Sequence, residues 1–207
     1  MHQVDSARPS AALRTYVRAY AQRKLEGLTI PVIEPVPARL EQILNFEFRD
    51  AYELRFSDVA KAVPFYPVAV LGYQTHRRCE IVMGGAIESF AVFFQPAGLL
   101  HLFRIPIRDL ANQVHEAGSV LGNLIYTLWA RMGEAPSFAS RVRIIDDFLL
   151  LQLVRSCDKF GATADRMLAI GGAVRVIPVA AIVEHGIALF VAAHRLTATR
   201  GLPTFSV

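Results

Sequence analysis

The 207-residue chain is 53% hydrophobic and only 19% charged, with a formal net charge of +4. That is enough apolar material for a sizeable core, and too little charge for a disordered chain. The positive balance permits contact with nucleic acid but does not require it.

Two apolar stretches raise the question of a membrane span. The stretch 167–193 is interrupted by Arg175, Glu184 and His185, and 89–103 is short and contains Pro96 and His101. Neither reaches the roughly 18–20 uninterrupted apolar residues that a spanning helix needs. The opening MHQVDSARPSAALR has no hydrophobic core of a secretory signal, so a cytoplasmic location is expected. Cys79 and Cys157 lie far apart in sequence and are read as two thiols rather than a disulfide framework.

In chain order, residues 9–24 present Leu13, Tyr16, Val17 and Tyr20 on one stripe, which predicts a helix. Leu40, Leu44, Phe46 and Phe48 then alternate with Glu41, Asn45 and Glu47, the period-two pattern of a half-buried strand. Tyr52, Leu54 and Phe56 repeat it, so Arg49-Asp50 reads as a hairpin turn. Residues 68–71 predict a third strand ending at Gly72. Residues 79–83 and 87–95 flank Gly84-Gly85, which reads as a tight hairpin because glycine accepts positive φ.

After Pro96 the period becomes helical. Residues 107–116 predict a helix opened by Pro106. Ser119 is a candidate cap for a second, turning Leu121, Leu124, Ile125 and Leu128 inward, and Ser137 caps a third, carrying Ile145, Leu149 and Leu153. On the third helix, Arg141, Arg143 and the pair Asp146-Asp147 read as a solvated face. The whole predicts an α+β protein: an antiparallel β-rich domain, a helical layer and a small helical tail, divided as 1–160 and 161–207.

Catalytic and metal signatures do not emerge. His2, His76, His101, His115, His185 and His194 show neither H-x-H nor H-x-x-x-H spacing, so no metal or cofactor is expected. There is no G-x-S-x-G elbow, and Gly84-Gly85 is not followed by a helix that could cradle phosphate, so an enzyme is not expected. The aromatic residues of the sheet are candidates for a ligand cavity, with Phe46, Tyr66, Tyr73, His76 and Phe94 singled out. Phe93 and Phe94 point to opposite faces of one strand, so one face can pack on helices while the other serves a pocket or a partner.

Residues 9–155 resemble the sensing domains of AraC-type transcription regulators. The resemblance is an ordered series: an "L..yv..y" opening at 13–20, then Gly72, Phe94, Pro96, Gly98, Pro106 and Leu110, then a long helical pair. The segment 174–201 resembles the first of that family's two helix-turn-helix units, with Val179-Ala180 in the first helix, Gly186 at the turn, Arg195-Leu196 and Gly201. A glycine turn between two helices packed through small residues is the physical basis of that pattern.

The resemblance implies a small-molecule effector, a homodimer and transcriptional regulation. It also implies DNA contact by the second helix, where His194, Arg195 and Arg200 are the candidates. Phe190, Val191, Ala192 and Ala193 offer little base-reading chemistry, and the family's second helix-turn-helix is absent from these residues. The expectation is a regulator whose DNA binding is weak or lost. The alternative is a stand-alone ligand-binding or interaction module that modulates full-length relatives by mixed dimerisation.

Overall fold

A computed structural model describes residues 2–50, 52–56, 66–76 and 79–160. All lie within one compact unit. Seven strands form one antiparallel sheet: β1 (His2–Ala7), β2 (Val17–Val36), β3 (Ile43–Glu47), β4 (Glu53–Phe56), β5 (Val68–Leu71), β6 (Cys79–Phe94) and β7 (Val114–Glu116). Their order is β1-β2-β6-β3-β5-β7, with β4 also paired to β6. The helices are α1 (Gly98–Phe103), α2 (Ala117–Leu121), α3 (Leu124–Gly133) and α4 (Phe138–Phe160). The fold is thus a β-rich antiparallel sheet with a few helices. Among the described residues no helix is long and apolar enough to cross a membrane.

Three local expectations are corrected. Residues 9–24 are not a helix: a single 3-10 turn at Ala11–Leu13 leads into β2. The helical spacing of Leu13, Val17 and Tyr20 arises because that turn, and a register shift between Val17 and Ala19, bring all three to one side. Gly84-Gly85 is not a hairpin but the middle of β6. Both flanks of the pair run along β2, so no chain reversal occurs there. Arg49-Asp50 is likewise no hairpin. Strands β3 and β4 run in the same direction along β6, from Ile43 opposite Phe93 to Phe56 opposite Cys79.

These positions share another purpose. Gly27 (φ 75°) and Gly85 (φ 74°) adopt the left-handed conformation at a register shift, with Leu28 opposite Gly85. Asp50 sits on the other side of β6, its carboxylate accepting the Ala86 amide at 2.8 Å. A side chain at Gly85 would strike that carboxylate. The three strands therefore bulge and bend together along one line, which is where glycine is needed. The bend lets each long strand fold its far half over its near half: Arg23 and Glu34, both on β2, meet at 3.0 Å.

After β6 the helical expectations are partly displaced. Residues 107–110 form a short 3-10 turn, and Val114–Glu116 are strand β7, because these residues pair with β5 rather than continuing a helix. Glu116, not Ser119, caps α2, accepting the amides of Gly118 and Ser119. Ser137 caps α4 as anticipated, its hydroxyl accepting the Ser140 amide at 3.2 Å.

The main core lies between one face of the sheet and the helices. Tyr20, Leu44, Phe46, Phe90, Val92 and Phe94 meet Leu99, Ile125, Leu128, Met132, Ile145 and Leu149, and burying each such side chain contributes about 1.5–3 kcal/mol. Two motif glycines are packing requirements of this arrangement. A Cβ on Gly72 would collide with the Leu110 main chain, and one on Gly98 with the Tyr16 carbonyl.

Arg141 and Asp146 do not form a solvated face. Arg141 is buried and pairs with Glu88, while also donating to Gln22 (2.7 Å) and the Met132 carbonyl (2.8 Å) and lying 4.2 Å over the Phe48 ring. Asp146 accepts the Tyr20 hydroxyl at 2.6 Å and the Ser10 amide at 3.2 Å. The periodicity of α4 located its apolar stripe, but not the polar groups on the sheet that await these two side chains.

Replacing Arg141 with Leu should cost about 1–3 kcal/mol in urea unfolding, because Glu88 loses its buried partner and keeps only the partly solvated Lys24 and Arg49. Combining it with Glu88→Leu should recover part of that loss, since Lys24 and Arg49 still reach solvent. Equal stability of the single and double variants would contradict this account.

Candidate functional site

Cross-strand register defines the chemistry of the sheet face turned away from the helices, here termed the inner face. Residues directly opposite one another share a face. Tyr20, Phe46 and Phe90 pack on the helices, so their immediate neighbours along each strand point inward. The pairings then give three rows across the sheet. The first is Arg23–Ser89–Glu47, the second Ala21–Ala91–Asn45–Ala69, and the third Ala19–Phe93–Ile43–Leu71. A polar row and an apolar row thus flank a row of three alanines and one asparagine. Small side chains thus occupy adjacent positions in the middle of this face.

The residues of all three rows are buried apart from Asn45, which is half-buried. The folded-over far half of the sheet contributes to the enclosure. Leu25 and Ile87 pack with Met83, Val32, Ile81 and Tyr52 across the bend, and the Asn45 amide reaches the Tyr52 hydroxyl at 3.5 Å. Beside the third row, Arg18 pairs with Glu41 at 3.1 Å and lies 5.3 Å over the Phe93 ring.

Glu47 is the chemically distinctive member. Its Oε1 accepts the Asn45 amide at 2.6 Å, whereas Oε2 is buried with no hydrogen-bond partner among the described residues. Burial drives its carboxyl up to about 8, against the opposing influence of the Asn45 hydrogen bond and the Arg23 charge. Burial likewise pushes the Tyr52 hydroxyl up, so it remains a neutral donor. For Glu88, on the helix face, burial alone would raise the carboxyl. Hydrogen bonds from Lys24 and Arg141, together with their charges, win and hold it below the usual range.

Glu47 also ties the two faces of the sheet together. Its side chain is on the inner face, while its carbonyl accepts the Trp129 indole N–H of α3 at 2.7 Å. The next residue, Phe48, lies beneath Arg141 of α4. A change at the Glu47 carboxyl is therefore one residue from both helices of the layer.

The aromatic candidates singled out from the sequence are not gathered around Glu47 on the inner face. Phe46 and Phe94 are fully buried on the helix face, against Phe90 and Phe103 respectively. Tyr66 and Tyr73 are half-buried beside β5, and the Tyr73 carbonyl accepts the Asn112 amide at 2.8 Å. His76 is exposed, its Nδ1 2.9 Å from the Thr75 hydroxyl. His194, Arg195 and Arg200 lie outside the described residues. Among the described residues no group of three His, Cys, Asp or Glu side chains could hold a metal ion.

Sequence reasoning passed over Glu47 and Asn45 because it placed them on a solvated strand face. Arg23 was taken as the end of a helix. The available signal was the alternation of Ala19, Ala21 and Arg23, which is visible only once that segment is read as a strand.

No family model and no curated protein matches this chain. Among solved structures, it is similar to a Salmonella typhimurium protein assigned to ethanolamine utilization, with 5% identity and a TM-score of 0.31, over 44% of this chain and 67% of that one. A second is an oxalate decarboxylase, with 8% identity and a TM-score of 0.33, over 56% of this chain. The match spans 37% of the decarboxylase.

The raised Glu47 carboxyl has a measurable consequence. Folding holds its proton more tightly than the unfolded chain does, so its contribution to stability is full below about pH 4.5 and is lost as pH rises through about 8. Glu47→Gln cannot ionise. Its thermal midpoint should fall less than that of the unaltered chain between pH 5 and 8.5, and should be the higher of the two at pH 8.5. Parallel pH profiles for the two proteins would show that Glu47 is not a buried acid.

Proposed function

We propose that this chain is the effector-sensing and dimerisation part of an AraC-type transcription regulator, with the inner face of the bent sheet as the side that senses the effector. The observation that carries the reading is positional. Gly72 and Gly98, two members of the ordered series that marks the resemblance, occupy points where a Cβ would collide with the main chain of another element. The series thus follows demands of the fold rather than chance composition. A buried carboxyl with one unsatisfied oxygen, set among apolar side chains, is the kind of polar group that can orient a small molecule.

Transmission follows from the Glu47 main chain. An effector that shifts the Glu47 side chain displaces the carbonyl held by Trp129 and the Phe48 ring under Arg141. These contacts belong to α3 and α4. On α4, Leu151 and Val154 are 58% and 57% exposed, and together with Leu150 and Asp147 they line a shallow apolar groove. The proposed occupant is the same helix of a second copy, since a two-fold contact uses one patch twice. The dimer face is therefore Leu151 and Val154. Leu149, on the apolar stripe of α4, is instead fully buried in the core.

Sedimentation of the chain at micromolar concentration should give twice its 22.9 kDa mass. Leu151→Glu with Val154→Glu should give a folded monomer, whereas Leu149→Glu should unfold the domain. A monomeric unaltered chain would remove the dimerisation claim. Titration against promoter DNA and scrambled DNA of equal length should give only non-specific binding, weaker than roughly micromolar at physiological salt. Arg195→Ala with Arg200→Ala should remove it. Nanomolar preference for the promoter would mean that the tail still reads sequence.

A further inference from the structure

We propose that the outer edge of β1 pairs with the same edge of a second copy of this chain, antiparallel and in a register centred on Val4. The contact is separate from the α4 groove and independent of any effector. Among the described residues β1 ends the sheet and has β2 as its single neighbour. Its outward amides and carbonyls are therefore a template on which another strand can add.

The other edges of the sheet are closed to such pairing. The far half of β2 carries Pro31 and Pro35, which lack the N–H that a ladder needs. β4 has four residues and bears the Glu53–Arg55 ion pair at 2.9 Å, and β7 has three residues. Short, charged or proline-bearing edges are how sheets avoid joining one another. β1 has six residues and contains no proline, lysine or arginine.

Asp5, the carboxylate of this strand, selects the register. In a two-fold antiparallel pair, opposed residues lie on the same face, so the axis passes through a residue rather than between two. An axis through Gln3 or Ser6 leaves half of each strand unpaired. An axis through Asp5 opposes two carboxylates, which repel. An axis through Val4 pairs His2 to Ser6 of both copies and sets Gln3 opposite Asp5 twice.

The side chains fit that arrangement. Gln3 and Asp5 lie across from Lys24 and Gln22 of β2, towards the helices, while Val4 lies across from Arg23 on the inner face. Within one chain the Gln3 amide already donates to the Asp5 carboxylate at 2.9 Å. An amide nitrogen carries two hydrogens and a carboxylate accepts several, so each can also serve the second copy. Gln3 and Asp5 of both copies then close a ring of four side chains. On the opposite face Val4 meets Val4, a β-branched pair suited to a sheet. A strand this short buries less than a standard interface, so the pairing is weak and leaves the micromolar contact at α4 unaffected.

The test is a disulfide placed by register, formed by mild oxidation of the full chain at about 100 μM, where weak contacts are populated. Directly opposed Cα atoms are about 4.5–5.5 Å apart, within disulfide range. Val4→Cys should give a covalent dimer well above the level that Cys79 and Cys157 give in the unaltered chain. Ser6→Cys, on the same face, should not, because the two copies of that position are about 14 Å apart along the strands. The Val4→Cys link should persist when Leu151→Glu and Val154→Glu are added.

Gln3 is exposed, so its replacement leaves the fold intact, which the thermal midpoint checks. In the Val4→Cys chain, Gln3→Asp opposes carboxylates across the axis and should slow linkage about tenfold, whereas Gln3→Lys should keep or raise it. Absence of the Val4→Cys link overturns the proposal, as does equal linkage by Ser6→Cys or indifference to Gln3→Asp. Loss of the link on changing Leu151 and Val154 also overturns it, since the copies would then meet through α4 alone.

Discussion

Four segments of the polypeptide meet at the carboxylate of Glu88. It projects from β6, the central strand, towards the helices, and receives Lys24 of β2 at 2.9 Å, Arg49 from the β3–β4 bend at 3.3 Å, and Arg141 of α4. Two of these cations are partly solvated, whereas Arg141 and Glu88 are almost entirely enclosed. Desolvating that pair is expensive, and the cost is met only while every partner stays in place. Arg141 is in turn bound to Gln22, to the end of α3 at Met132, and to the face of Phe48. Sheet, bend and helical layer thus have one common point, and the hydrophobic core is assembled around it rather than independently of it.

The same residues on β6 serve opposite duties one position apart. Glu88 faces the helices and is fully paired; Ser89 faces inward between Arg23 and Glu47. A strand places consecutive side chains on opposite faces, so a sheet buried on both sides must keep a polar group with partners on each. On the helix face Glu88 is fully paired, whereas on the inner face Glu47 retains an unpaired oxygen beside three alanines. Its backbone carbonyl holds Trp129 of α3, and the adjoining Phe48 lies under Arg141 of α4.

Much of the architecture was legible from local pattern. Strands near 43–47, 53–56 and 68–71, the Ser137 cap and the core stripe of α4 all follow from alternation, glycine placement and helical spacing. The errors have a common origin. Residues 17–25 are largely buried on both faces, because the helical layer covers one and the folded-over part of the sheet the other, so their apolar spacing no longer reports a period. Gly84-Gly85 and Arg49-Asp50 carry the chemistry of turns, and the fold uses that chemistry to bend strands instead of reversing them. The opposite orientation of Phe93 and Phe94 was correctly inferred, yet which of them faced the helices could not be.

The sequence by itself determined that this is a β-rich antiparallel domain followed by helices, because period and propensity are properties of neighbouring residues. It also determined where glycine was needed, at Gly72 and Gly98, without saying why. Only the tertiary structure decided that Arg141 is a buried partner of Glu88, that Asp146 holds Tyr20, and that Arg23, Ser89 and Glu47 stand in one row. Those relationships join residues from 24 to 126 positions apart in the chain. They depend on strand register, and register is set by a bend and a packed face that no local stretch of sequence contains.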